Sequence, residues 1–276
     1  MKYLKQKLMA AAAMLMVSVV MLTSASYAWF TISVTPEVTD ITTTITANEN
    51  FEIALGTNAT KKPETTTTTD GANTDLRDKD QTWGATIISL TDLAGLGPAK
   101  VEDDVIKTVK YAEDGRPEEM VAATRALVGT TPTTIDDGIA DIKDLEGNVI
   151  GKTILVWLRT NVAGNVTATV SDLELKTFND TDRTSLIKIA FERCTYTTTV
   201  VEGSSIVVTD STTTSQSLGA FDANVEVPVL IHVYLDGDAV NNSDIADEYV
   251  ATIGKIEFSN ANIVADNAYD HTVQNP

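Results

Sequence analysis

Val227-Pro228-Val229-Leu230-Ile231-His232-Val233-Tyr234-Leu235 carries the clearest structural signal in the chain. Nearly every residue in it is β-branched or bulky, which suits a pleated surface and loses side-chain freedom in a helix. At a period of two, Val229, Ile231, Val233 and Leu235 share one face, while Leu230, His232 and Tyr234 share the other. The first face belongs to a core. On the second, His232 is expected as a partly exposed strand histidine. A catalytic role would need a cysteine, serine or acid partner that the sequence does not supply.

The same pattern recurs outward from this strand. There are 42 threonines among many valines and isoleucines, and few stretches carry a helical period. Alternation predicts strands at Phe30–Thr35, Val38–Ala47, Phe51–Leu55, Ala85–Leu90, Thr153–Thr160, Val166–Phe178, Leu186–Cys194, Tyr196–Val201, Ser205–Thr209, Val225–Leu235 and Tyr249–Phe258. Glu202-Gly203-Ser204 reads as a hairpin between two of them. The expected fold is all-β: one antiparallel β-sandwich over residues 29–276, with residues 56–151 as a loop-rich elaboration. Gly56–Thr82, with five consecutive threonines at Thr65–Thr69, predicts a surface loop with too little apolar area to order itself. Pro117-Glu118-Glu119-Met120, leading into Val121–Leu127, predicts one or two short helices, because proline and acids suit a first turn.

The first 28 residues read as a secretory signal peptide. Lys2, Lys5 and Lys7 precede an almost wholly apolar run, Leu8–Leu22, and Ser26 and Ala28 take the −3 and −1 positions of a cut before Trp29. The run is shorter than the roughly 20 residues of a spanning helix, so membrane contact is expected only before cleavage. The 276-residue chain has net charge −19, and losing residues 1–28 removes three lysines and no acids, giving −22. Nucleic-acid binding is excluded as an expectation, since it needs a basic footprint. One cysteine, Cys194, and two histidines, His232 and His271, exclude a disulfide framework and multi-cysteine or histidine-rich metal chemistry.

No nucleophile elbow, phosphate-binding loop or dinucleotide fingerprint is present, and no catalytic residue or cofactor is expected. Cys194 reads as a small buried hydrophobe. Asp236-Gly237-Asp238, with Asp244 beyond, has the oxygen spacing of a calcium turn but not the register of an EF-hand loop, so calcium is a weak candidate. The mature terminus is more unusual. Trp29, Phe30, Ile32 and Val34 make an apolar, alternating segment at a position where chains are normally polar and frayed. Such a segment pairs either within its own sheet or, by strand addition, with a neighbouring copy.

Thr23-Ser24-Ala25-Ser26-Tyr27-Ala28-Trp29-Phe30-Thr31 resembles the signal-peptide junction of the TasA and camelysin-like exported proteins of Gram-positive bacteria. Val227–Val229 and Val233–Asp238 are similar to a late strand and acidic turn in clostridial members of that group. The resemblance covers a small part of the chain. It implies a jelly-roll sandwich and a secreted subunit of a biofilm-matrix or cell-surface fibre, a homopolymer with possible accessory matrix or surface proteins. It also implies that Trp29 to about Val38 is donated to the next subunit. Some members are catalogued as metallopeptidases, but this chain carries no histidine-rich zinc motif, and it departs from the group in its long threonine- and acid-rich middle. The rival expectation is a monomeric cell-surface adhesion or carbohydrate-binding module using Trp83 or Trp157. A hydrolase built on His232 is a third.

Overall fold

The computed structural model describes residues 38–39, 43–47, 51–56, 59–64, 77–83, 87–90, 96–111, 117–122, 124–125, 139–145, 147–177, 180–201, 203, 205–239, 249–260 and 262. They form twenty strands in chain order. These are β1 (Val38–Thr39), β2 (Thr43–Ala47), β3 (Phe51–Leu55), β4 (Lys62–Glu64), β5 (Arg77–Thr82), β6 (Ile87–Leu90), β7 (Pro98–Glu102), β8 (Val105–Tyr111), β9 (Pro117–Ala122) and β10 (Thr124–Arg125). Then come β11 (Ile139–Lys143), β12 (Val149–Thr160), β13 (Gly164–Thr177), β14 (Ile187–Arg193), β15 (Thr195–Tyr196), β16 (Val200–Val201), β17 (Ile206–Thr209), β18 (Ser215–Phe221), β19 (Val227–Asp236) and β20 (Tyr249–Asn260). A 3-10 turn at Thr184–Leu186 is the only helical element among the described residues. None of their helices is long and apolar enough to cross a membrane.

The stretch from Val227 becomes β19, an interior strand of a ten-stranded sheet, with β14 on one side and β12 on the other, where β7 takes over from β12 at Leu235. Val229, Ile231, Val233 and Leu235 face a second, six-stranded sheet of order β18-β13-β20-β2-β6, with β1 as its sixth strand beside β20. The two sheets close one core, joined for example by the edge-on rings of Phe191 and Phe258, with centroids 6.1 Å apart. Each large apolar side chain removed from water there contributes on the order of 1.5–3 kcal/mol. The fold is an all-β sandwich. Most pairings are antiparallel, while β1 and β2 with β20, β7 with β19, and β4 with β5 are parallel.

The opposite face of the ten-stranded sheet is buried too. Leu155, Trp157 and Leu230 pack with Ala59, Trp83 and Val200, while Tyr234, Ile150 and Ala190 pack with Ala99 and Ile106. The elaboration therefore roofs the sheet instead of looping away from it, and the parts of Gly56–Thr82 that are described include strands β4 and β5. Pro117–Ala122 is a strand paired with β8, not the expected helix. A short isolated helix is marginal in water, and pairing with Val105–Tyr111 satisfies its backbone instead. Pro117 opens the strand, where its missing N–H is tolerated. Tyr196–Val201 is likewise two short strands folded on each other, and β17 pairs with β14. Gly203 serves a close approach, since a Cβ there would lie 2.2 Å from the Arg193 carbonyl oxygen.

Candidate functional site

The N-terminal strand holds an unusual position. Val38 pairs with Tyr249 and Ala47 with Phe258, all at one constant offset, so β1 and β2 are two stretches of a single line running parallel to β20. On its other side β2 pairs antiparallel with β6. The strand is thus inserted between β20 and β6, and chain arriving from residue 37 enters at the Tyr249 end of the sheet. Ile45 is fully buried, but so is Thr43, whose hydroxyl has no hydrogen-bond partner among the described residues. Leaving such a group unsatisfied costs about 1–3 kcal/mol. The expected cleavage pair Ala28 and Trp29, and the expected donor residues Phe30, Ile32 and Val34, lie outside the described residues. Val38, the last residue of the expected donor segment, pairs within its own chain.

His232 is not partly exposed, as its alternation suggested, but fully buried. Sheet pairing sets Thr153 of β12 opposite it, and Glu192 of β14 comes diagonally across from the other side. Thr153 Oγ1 lies 2.9 Å from His232 Nδ1, and Glu192 Oε2 lies 3.1 Å from Nε2. An ionised Glu192 only accepts, which places the proton on Nε2 and leaves Nδ1 to accept from the Thr153 hydroxyl. The second Glu192 oxygen accepts the Gly203 amide at 2.7 Å. Hydroxyl, imidazole and carboxylate follow the order of a hydrolase triad. Yet Thr153 and His232 are 0% exposed and Glu192 1%, so no substrate reaches the hydroxyl in this arrangement. Spacings of 40 and 79 residues hid both partners from a sequence reading.

Arg159 anchors a second buried polar group. Its Nε donates to Glu52 Oε2 at 2.9 Å, Nη2 donates to the same oxygen, and Nη1 lies 3.7 Å from Glu226. The guanidinium stacks 4.5 Å from the centre of the Trp83 ring. Lys62 reaches Glu226 at 3.3 Å and sits over Tyr196, which meets Trp157 edge-on. Together these contacts clamp the elaboration to the sheet. They also remove both candidate sugar platforms, because Trp157 is 0% and Trp83 4% exposed, and neither ring can stack on a saccharide. Cys194 is buried, as expected of a small hydrophobe.

At the acidic turn, Asp236 meets Lys188 at 3.3 Å and Asp238 meets Lys100 at 3.4 Å, while Asp244 lies outside the described residues. Asp236 Oδ1 accepts the Asp238 amide, the bond of a polar turn. Among the described residues no cluster of three metal-ligating side chains exists. Lys188 also bonds Asp210 at 2.7 Å, and the Thr212 hydroxyl and the Thr213 and Thr212 amides converge on that carboxylate. These donors, Lys188 first, hold the Asp210 carboxyl well below the usual carboxylate range. Burial, with a smaller push from Asp236, drives the Tyr234 phenol upward.

Comparison of the chain with protein-family models, with curated proteins and with solved structures finds no match in any of the three.

Proposed function

We propose that this chain is a secreted structural subunit of an extracellular fibre or pilus, in a biofilm matrix or on a cell surface, and that it polymerises by giving its mature N-terminal strand to the next copy. The jelly-roll topology and the donor role of Trp29, Phe30, Ile32 and Val34 belong to the same proposal. The single observation that carries it is that β1 and β2 lie in one line parallel to β20 within their own sheet, so the uncharged, alternating segment Trp29–Val34 precedes a strand that is already seated. An uncharged, alternating segment ahead of such a strand is the kind that strand addition gives to a neighbouring copy. No enzymatic activity is proposed: among the described residues the hydroxyl–imidazole–carboxylate chain of Thr153, His232 and Glu192 is sealed from solvent.

The test is electron microscopy of mature protein beginning at Trp29, beside a version lacking Trp29–Val38. Filaments from the intact protein alone support the proposal, as does loss of filaments on changing Ile32 and Val34 to lysine with the melting temperature kept. Equal filaments from all of them, or none from any, overturn it.

A further inference from the structure

The sandwich has an open seam where the chain crosses from one sheet to the other, between β17 and β18. Among the described residues β17 pairs only with β14 and β18 only with β13, so each turns an unpaired edge to the seam. A recess of about 310 Å³ lies in it, over Phe191, Val207 and Leu218, with Ser205 and Ser217 at its rim. Two side chains bracket the recess. Gln216 Nε2 donates to the Val208 carbonyl at 3.0 Å, and Arg193 Nη1 donates to the Ala220 carbonyl at 2.6 Å with its guanidinium over Phe221. Gly219, at φ +83°, forms the bulge that lets Leu218 turn inward.

We infer that this recess is the acceptor site for residues Trp29–Val34 of a second copy of the chain. The inference rests on the fibre proposal and names the receiving half of the contact. Reach excludes the chain's own Trp29–Val34. Val38 sits at the Tyr249–Thr177 end of the six-stranded sheet, whereas Leu218 lies beside Val166 and Thr167, near the other end of β13. About ten residues of strand, roughly 33 Å, and three strand spacings, about 14 Å, separate them. The nine residues back to Trp29 span at most about 32 Å at full extension. Chemistry matches as well. Trp29–Thr35 carries no charged side chain, and Arg193 is the only charged residue lining the recess, so docking buries aromatic and aliphatic groups without desolvating an acid. Because Val38 lies at one end of the six-stranded sheet and the recess toward the other, each contact leaves a new acceptor free, and the assembly does not close.

The experiment mixes two preparations of mature full-length protein, one carrying Thr31→Cys and the other Ser217→Cys, under mild oxidation. Buried Cys194 does not compete. A 31–217 disulfide between copies, growing with filament mass, is the expected result, and Ser33→Cys serves as a second donor probe. Ser205→Trp, at the exposed rim, should lower filament yield at least tenfold with an unchanged melting temperature. Filaments that form without the disulfide, or that Ser205→Trp does not affect, overturn the acceptor site and leave the fibre proposal standing. Absence of filaments from the unmodified protein overturns both.

Discussion

Glu192 Oε2 lies 3.1 Å from His232 Nε2, and both side chains are shut away from water on the roofed face of the larger sheet. A carboxylate in that position is tolerable only while every oxygen has a donor, and His232 and the Gly203 amide supply one each. His232→Ala removes one donor and leaves a cavity, so it should cost about 3–5 kcal/mol of stability in urea denaturation. Thr153→Val, which spares the pair, should cost about 1 kcal/mol. A loss under 1 kcal/mol from His232→Ala would contradict the assigned network.

Arg159→Ala should be as damaging, for a related reason. It removes the charge partner of buried Glu52 and the group stacked on Trp83, at a cost of about 3–5 kcal/mol. The elaboration should also loosen first, so limited proteolysis near residues 59–64 should outpace global unfolding. Arg159→Lys keeps the charge but not the fork, and should fall between the two.

How much of this was legible in the sequence follows from residue spacing. Strands with strict alternation, such as Phe51–Leu55 and Val227–Leu235, could be placed within a residue or two. β18 could not, because its two core residues, Leu218 and Phe221, stand three apart. The bulge at Gly219 lets them share a face, and a period of two does not anticipate it. Pro117–Ala122 misled in the opposite sense, since its local signals are helical and only a tertiary partner makes it a strand. His232 was read as half-exposed because alternation reveals which face a residue shares but not whether something covers that face. The roof comes from Ala59, Trp83 and Ile106, far away in sequence. The parallel insertion of Thr43–Ala47 was likewise unreadable, as no local pattern specifies a neighbouring strand.

Thr43→Val replaces an unsatisfied buried hydroxyl with a methyl of nearly the same shape. It should stabilise the protein by about 1 kcal/mol, raising Tm by about 2–4 °C. A lower Tm would mean the hydroxyl is satisfied after all.

Acid should act through the seam. The depressed Asp210 carboxyl contributes stability that is complete above its unfolded value near 3.8 and is lost as pH falls below it. Asp210→Asn should therefore cost about 1–2 kcal/mol at pH 7, since it weakens the Lys188 bond and the turn joining β17 to β18. The gap from the unmodified protein should narrow as pH drops under 4, as thermal melts across pH 2–7 would reveal. A gap independent of pH would reassign the effect to packing.

The constant offset between Val38–Ala47 and Tyr249–Phe258 also bears on the order in which the chain folds. Partners more than two hundred residues apart meet only after the last strand has been made, and contacts so distant form slowly. Until β20 emerges, β2 has no partner on that side, while the interior strands β12, β14 and β19 can already assemble. Each new molecule thus passes through an interval in which its sandwich is mostly built and its first strand is still uncommitted. During that interval β20 is open to pairing with the first strand of another molecule, so the yield of correctly refolded monomer should fall as protein concentration rises.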